Sequence, residues 1–253
     1  MSTPPAGGAA NTRPFLFLGT RAGHAIADSE YEAICHYAGL PTSRMDRVRL
    51  EEEPMPPVDL DRYAGVITGG SPFNSSDPIT EKSVIQQRVE ADMSKILDEI
   101  VARDMPFLGA CYGVGTLGTH QGAVVDRTFG EPPGTGHIEL TEAGREDPLC
   151  AGMPERFDAF LGHKEAVREL PAHAVLLATS GPCPVQMFRV KKNLYATQFH
   201  PELDSAGLIE RLQEYRHAGY FHPDELDRLT REALSANVVH PQLILQNFVE
   251  LYA

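Results

Sequence analysis

Three short stretches of this chain combine residue types and spacings that could do chemistry. The first is Gly109-Ala-Cys-Tyr-Gly113, which sets Cys111 in a G-x-C-x-G frame. It follows the apolar run Pro106–Leu108 and opens what reads as a helix, so the expected local structure is strand, sharp turn, helix. This is the cysteine counterpart of the nucleophile elbow. A nucleophile on such a turn has a strained backbone, and the residues two before and two after it must lack side chains for strand and helix to pass. The sulfur then stands exposed above the sheet. The next backbone N–H, that of Tyr112, faces the place where an oxyanion would form, and the helix N-terminus stabilises a thiolate. A core cysteine in a Gly-rich turn has the same local pattern, so the frame alone leaves both readings open.

A thiol nucleophile needs a base, and the base needs an orienting group. His200-Pro-Glu202 supplies both at the end of the apolar stretch Leu194–Phe199. In an extended segment residues two apart project to the same side. Glu202 can then accept a hydrogen bond from one ring nitrogen of His200 while the other nitrogen faces Cys111. The order Cys, His, Glu is that of α/β-hydrolase triads. The third stretch is Gly69-Gly70-Ser71-Pro72, at the end of the apolar run Ala64–Thr68. Glycines there let a ligand approach the backbone, and their N–H groups can form an anion nest. An ordinary Gly-Pro turn is the alternative.

The elements that must position these residues follow from the apolar pattern. Phe15–Leu18 and Ala64–Thr68 read as strands buried on both faces, and Arg44–Leu50 as a second strand between them in sequence. Ser29–Ala38 reads as a helix capped by Ser29 and stopped by Gly39 and Pro41. Glu81–Ala102 reads as a helix with one apolar stripe, from Val84/Ile85 through Val89 and Met93 to Ile100/Val101. The acidic Glu51–Glu53 run reads as a solvated loop. Strand–helix alternation to this point implies a parallel sheet with helices on both faces and ligands at the carboxyl ends of the strands. Ala123–Phe188 has short apolar runs broken by Gly and Pro, expected as antiparallel strands within the same domain. Beyond Ser205 the pattern is helical, with Leu208, Leu212 and Tyr215 marking the first of three helices.

Three motifs in this order, Ile67-Thr-Gly-Gly-Ser-Pro72, Phe107-Leu-Gly-Ala-Cys-Tyr-Gly113 and Thr197-Gln-Phe-His-Pro-Glu202, resemble those of the class I (triad) glutamine amidotransferases. The likeness is to a free-standing form of the glutaminase domain of GMP synthase, and covers roughly Phe15 to Glu202. It implies one doubly wound α/β domain, residues 14–253, with a flavodoxin-like, mostly parallel central sheet and a small antiparallel sheet. It also implies that Cys111, His200 and Glu202 hydrolyse the glutamine side-chain amide through a γ-glutamyl thioester. Gly69, Gly70 and Tyr112 would border the oxyanion, held by the N–H groups of Gly70 and Tyr112. His163 and Glu165, in Gly162-His-Lys-Glu165, stand where the family often has His-Gly-Asp and would line the pocket; a surface charge pair is the other reading. No cofactor and no metal is implied.

One position departs from the family. Four residues after the cysteine, where it often has a substrate-reading Gln, this chain has Gly115. That leaves a γ-glutamyl peptidase or hydrolase with the same triad as the alternative to a glutaminase. A catalytically silent binding protein of this fold is the third reading, opposed by the intact Cys, His and Glu.

Composition limits the rest. With 253 residues the chain is long enough for a sizeable core. Its 35 acidic against 22 basic residues give a formal net charge of −13, against a general nucleic-acid or anionic-membrane surface. The four cysteines, Cys35, Cys111, Cys150 and Cys183, are too widely spaced for a zinc ribbon or a disulfide framework. Residues 1–13 read as a flexible tail with no signal-peptide core, and no apolar run reaches membrane-spanning length. The expected compartment is therefore the cytoplasm. The sequence shows no P-loop-like motif, so any use of released ammonia would fall to a separate synthetase or acceptor subunit.

Overall fold

The computed structural model describes residues 12–253; the expected tail lies almost wholly outside them. The alternating apolar pattern of the first strand sets up two layers. In β1 (Phe15–Gly19), Phe15 and Phe17 face one side of the sheet and Leu16 and Leu18 the other. The Phe side packs on α1 (His24–Tyr37) and α7 (Gln242–Tyr252) through Ile34, Ile244 and Phe248. The Leu side packs on α2 (Val84–Arg103) and α3 (Tyr112–His120) through Val89, Met93, Leu97 and Leu117. The domain is thus doubly wound.

The remaining strands are β2 (Met45–Arg49), β3 (Val66–Thr68), β4 (Phe107–Ala110), β5 (Val124–Asp126), β6 (Glu131–Leu140), β7 (Arg156–His163), β8 (Ala166–Glu169), β9 (Ala174–Thr179), β10 (Met187–Val190) and β11 (Leu194–Thr197). Nine of the strands form one sheet in the order β2-β1-β3-β4-β11-β10-β9-β6-β7. Pairing is parallel from β2 through β11 and antiparallel beyond it. The middle of the chain therefore extends the main sheet, and only β5 and β8 make a separate two-stranded antiparallel sheet. Among the described residues no helix is long and apolar enough to cross a membrane.

Two helix expectations change. The first helix starts at His24, five residues before Ser29. Ser29 is no cap, because its hydroxyl donates to Glu210 on α5 (Ser205–Glu214). Gly39, at φ +66°, does end that stretch. In α2, Ser83 caps the helix by accepting from the Gln86 N–H at 3.1 Å. That phase turns Val84 and Ile85 outward, 84 % and 45 % exposed, so the buried stripe begins only at Gln86 and Val89. Glu51, expected in solvent, is buried and paired with Arg49. After α5 a 3-10 turn, Pro223–Glu225, leads into α6 (Leu226–Ser235), whose Leu229 and Ala233 pack with Leu208 and Leu212.

Candidate active site

The parallel neighbours β3, β4 and β11 deliver the three sequence motifs to one place, because each motif follows the carboxyl end of its strand. Cys111 occupies the turn between β4 and α3 with φ 52° and ψ −81°. This is a left-handed conformation that costs a non-glycine residue about 1–3 kcal/mol. Its N–H donates to the Thr197 carbonyl at 2.7 Å, which ties the turn to the end of β11. A side chain at Gly109 would meet the Gly113 Cα at 2.6 Å, so that glycine is required by space. One at Gly113 would make only ordinary contact with Thr68, so the second glycine of the frame is not required in the same way.

The His200 ring stands between Cys111 and Glu202. Nδ1 and Glu202 Oε1 are 2.7 Å apart, and His200 also hydrogen-bonds with the Cys111 side chain. Burial alone would lower the His200 pKa; the charge of Glu202, then that of Cys111, overcomes this and raises it. Burial alone would raise the Glu202 pKa; the His200 charge, with smaller help from Arg211, lowers it. The arrangement favours an imidazolium between two anions. It can hold a thiolate, deliver a proton to a leaving nitrogen and take one from water.

What approaches the Gly69-Gly70 turn differs from the expected ligand. A Cβ on Gly69 would stand 2.5 Å from the Glu30 carboxylate, and one on Gly70 would strike the Arg21 guanidinium. The glycines make room for a buried ion pair within the chain: Arg21 Nε donates to Glu30 Oε1 at 2.6 Å. The same oxygen accepts from the Gly70 N–H at 3.0 Å. The N–H expected to face an oxyanion is therefore committed to Glu30, because an acceptor carboxylate is buried against it. Tyr112 opens α3 beside Cys111, with its side chain buried and its ring edge-on to Phe73.

His163 and Glu165 are both buried, which excludes a surface charge pair, but neither lines the cavity over Cys111. Glu165 accepts from the N–H groups of Ser75 and Ser76, each at 2.7 Å. Its carboxylate and the Ser75 hydroxyl press against Gly115: a Cβ there would lie 2.6 Å and 2.5 Å from them. Glu165 thus takes the space into which a longer residue at 115 would project. The His163 Nδ1 donates to the Glu165 carbonyl at 2.9 Å, and Nε2 lies 3.0 Å from Glu131 Oε2, which also accepts from Gln186 at 2.7 Å. Glu131, His163 and Cys183 are close enough to share a cation. Their hydrogen bonds are already made within the protein, and burial pushes the Cys183 thiol up to about 11.

Sequence reasoning missed the walls of the cavity that contains Cys111 and His200. Arg21 and Ser71 border it on one side, Leu161 and Gly162 of β7 on another. The inner face of α5, at Leu208, Arg211 and Leu212, closes a third together with Tyr215, and Tyr220 and Phe221 complete it. Tyr215 accepts from Arg21 Nη1 at 3.1 Å. Lys164 holds the segment after α5, donating to the Ala218 carbonyl at 2.6 Å and lying 4.3 Å from the Tyr220 ring centroid. Spacing could have revealed Arg211, a charge at the i+3 position of an i, i+4, i+7 apolar stripe. Arg21 and Glu30 carry no such signal.

A doubly wound α/β sheet with a cysteine elbow and a His-Glu pair at adjacent strand ends defines a class of protein, and comparison with known proteins agrees with it. The family model described as glutamine amidotransferase class-I matches residues 28–208, and the chain belongs to that family. Among curated relatives, a glutamine-hydrolyzing GMP synthase from Thermoplasma volcanium, a single subunit of a divided enzyme, is 31% identical over 146 residues, covering 57% of this chain and 65% of that protein. The glutamine-hydrolyzing GMP synthase of Thermosipho africanus is 29% identical over 126 residues, 49% of this chain but only 24% of that protein. The matched part of the chain thus spans about a quarter of such full-length relatives. A glutamine amidotransferase structure from Thermotoga maritima superposes with a TM-score of 0.70 at 19% identity, covering 96% of this chain and 99% of that one. A putative GMP synthase subunit from Thermoplasma acidophilum does so at 0.62 and 19%, covering 95% and 94%.

Proposed function

We infer that this chain hydrolyses the side-chain amide of a γ-glutamyl substrate, glutamine in the first instance, through a thioester on Cys111. The observation that carries this reading is Cys111 on its strained turn beside a His200 held at 2.7 Å from Glu202. The Cys111 sulfur attacks the γ-carbonyl carbon, and the oxyanion takes the Tyr112 N–H, with the Gly70 N–H as second donor once it leaves Glu30. His200 protonates the departing nitrogen as the C–N bond breaks, and ammonia leaves. Water then attacks the thioester, His200 accepts its proton, and glutamate and the free thiol result. Glu202 orients His200 throughout. The ammonia passes to an acceptor or synthetase supplied by a separate partner.

A second reading, hydrolysis of γ-glutamyl peptides by the same steps, draws support from Gly115 and the Glu165 carboxylate packed against it. Glutamate release from L-glutamine and from γ-glutamyl dipeptides, in the wild type and Cys111→Ala, tests both. Equal rates in the two proteins would sink the thiol mechanism. Thiol-dependent turnover of dipeptides without turnover of glutamine would select the second reading.

A further inference from the structure

Arg211 is an unusual wall for a cavity whose other groups on the same side are Leu208, Leu212 and Tyr215. It is 7 % exposed, yet its Nε and Nη1 have no hydrogen-bond partner among the described residues. The nearest carboxylate oxygens stand at 3.7 Å, on Glu210, and 4.0 Å, on Glu30, and the latter is already paired with Arg21. Glu202, the other buried carboxylate nearby, is bonded to His200. A buried guanidinium with two unmet donors is costly unless a ligand meets them, and its planar fork suits a carboxylate.

The position of this donor relative to the chemistry says which carboxylate. His200 must hand its proton to the departing nitrogen, so the departing group lies on the His200 side of Cys111. The cavity there is walled by His200, Leu203 and the inner face of α5, whereas Gly115 and Glu165 do not line it. Ammonia would reach none of these walls. An amino acid with an apolar side chain would lay that side chain on Leu208, Leu212 and Phe221 and its carboxylate on Arg211.

We propose that the cavity beside Cys111 is a leaving-group subsite for an apolar L-amino acid, with Arg211 as its carboxylate anchor, so that γ-glutamyl dipeptides are substrates of this chain. This rests on the thioester chemistry inferred above. Cys111 displaces the amino acid's nitrogen from the γ-carbonyl, His200 supplies the proton that makes it a free amine, and water regenerates the thiol with release of glutamate. One water is consumed per dipeptide.

The test compares γ-L-glutamyl-L-phenylalanine with γ-L-glutamyl-phenethylamide, which differs only in lacking the carboxylate, with L-glutamine alongside. Rates of glutamate release give kcat and KM for the wild type, Arg211→Met, Arg211→Lys and Cys111→Ala. The expected result is a wild-type kcat/KM at least about tenfold higher for the dipeptide than for the amide, as a charge-assisted contact implies. In Arg211→Met that ratio should fall to about one, with Arg211→Lys between. Free L-phenylalanine should inhibit the wild type competitively and phenethylamine should not, a measurement that needs no variant. A wild-type ratio near one, or a ratio that survives in Arg211→Met, overturns the proposal. The latter includes the case in which Arg211 binds the α-carboxylate of the glutamyl part, since both substrates would then weaken equally. Absence of Cys111-dependent release from all three compounds sinks the thioester reading and the subsite with it. Turnover of glutamine without a carboxylate preference sinks the subsite alone.

Discussion

The N–H of Gly70 and the carboxylate of Glu30 are hydrogen-bonded at 3.0 Å, forty residues apart in sequence, inside the turn that borders Cys111. Glu30 also neutralises Arg21, and both side chains are almost wholly buried. Burial alone would lower the Arg21 pKa; Glu30, then Tyr215, more than reverses this. Removing the carboxylate strands a buried cation. Glu30→Ala should destabilise the protein by about 3–5 kcal/mol, read as a lowered urea midpoint with unchanged slope. A loss within about 0.5 kcal/mol, the range of ordinary surface substitutions, would show that the pair does not hold the turn.

Alkylation should single out one thiol. Cys111 is partly exposed, whereas Cys35, Cys150 and Cys183 are buried. Burial raises the pKa of Cys35, pushes Cys150 up to about 12 and Cys183 up to about 11. An electrophilic glutamine analogue should label Cys111 alone, at one equivalent, and peptide mapping checks this. Labelling at any of the other three would contradict the assignment of the nucleophile.

Stability should depend on pH through His200. Its folded-state pKa is raised, so its contribution is complete below the unfolded value of about 6.5 and is lost as pH rises through the higher folded value. Glu202 is lowered, so its share is present above the unfolded carboxylate value and is lost as pH falls through the folded one. The unfolding free energy of the wild type relative to His200→Gln should therefore shrink on going from pH 6.5 upward, by up to about 1.4 kcal/mol per unit. An advantage that stays constant or grows with pH would refute the raised value.

Gly115 should resist substitution. A helical Gly→Ala change ordinarily gains up to about 1 kcal/mol, but here the new Cβ meets Ser75 and a Glu165 pinned by two backbone N–H groups. Overpacking of this kind costs about 1–3 kcal/mol. Gly115→Ala should therefore lower Tm, and Gly115→Gln should lower it further. A rise in Tm for Gly115→Ala would mean that Glu165 moves aside freely.

What the sequence reveals and what it hides divide along a physical line. Cys111 in its glycine frame and His200-Pro-Glu202 are local patterns, set by turn crowding and by the period of an extended segment, and strand alternation predicts that they meet. The partners of Gly70 arise only when α1 packs beside β3. Nothing local in Arg21 or Glu30 announces that contact. Ser29 has the residue type and position of a cap, but α5 brings Glu210 to its hydroxyl. The middle of the chain reads correctly as antiparallel, yet hydrophobic pattern does not reveal that β10 docks on β11 and so continues the main sheet.

The placement of β11 beside β4 has a consequence for how the protein is made. Cys111 leaves the ribosome with the first half of the sheet, whereas His200 arrives only after the segments that become β5 to β10. Closing so long a loop costs entropy before any contact repays it. The reactive thiol therefore has no base during most of synthesis and acquires one when a late strand docks. Assembly of the sheet is, in effect, the activation step of the nucleophile.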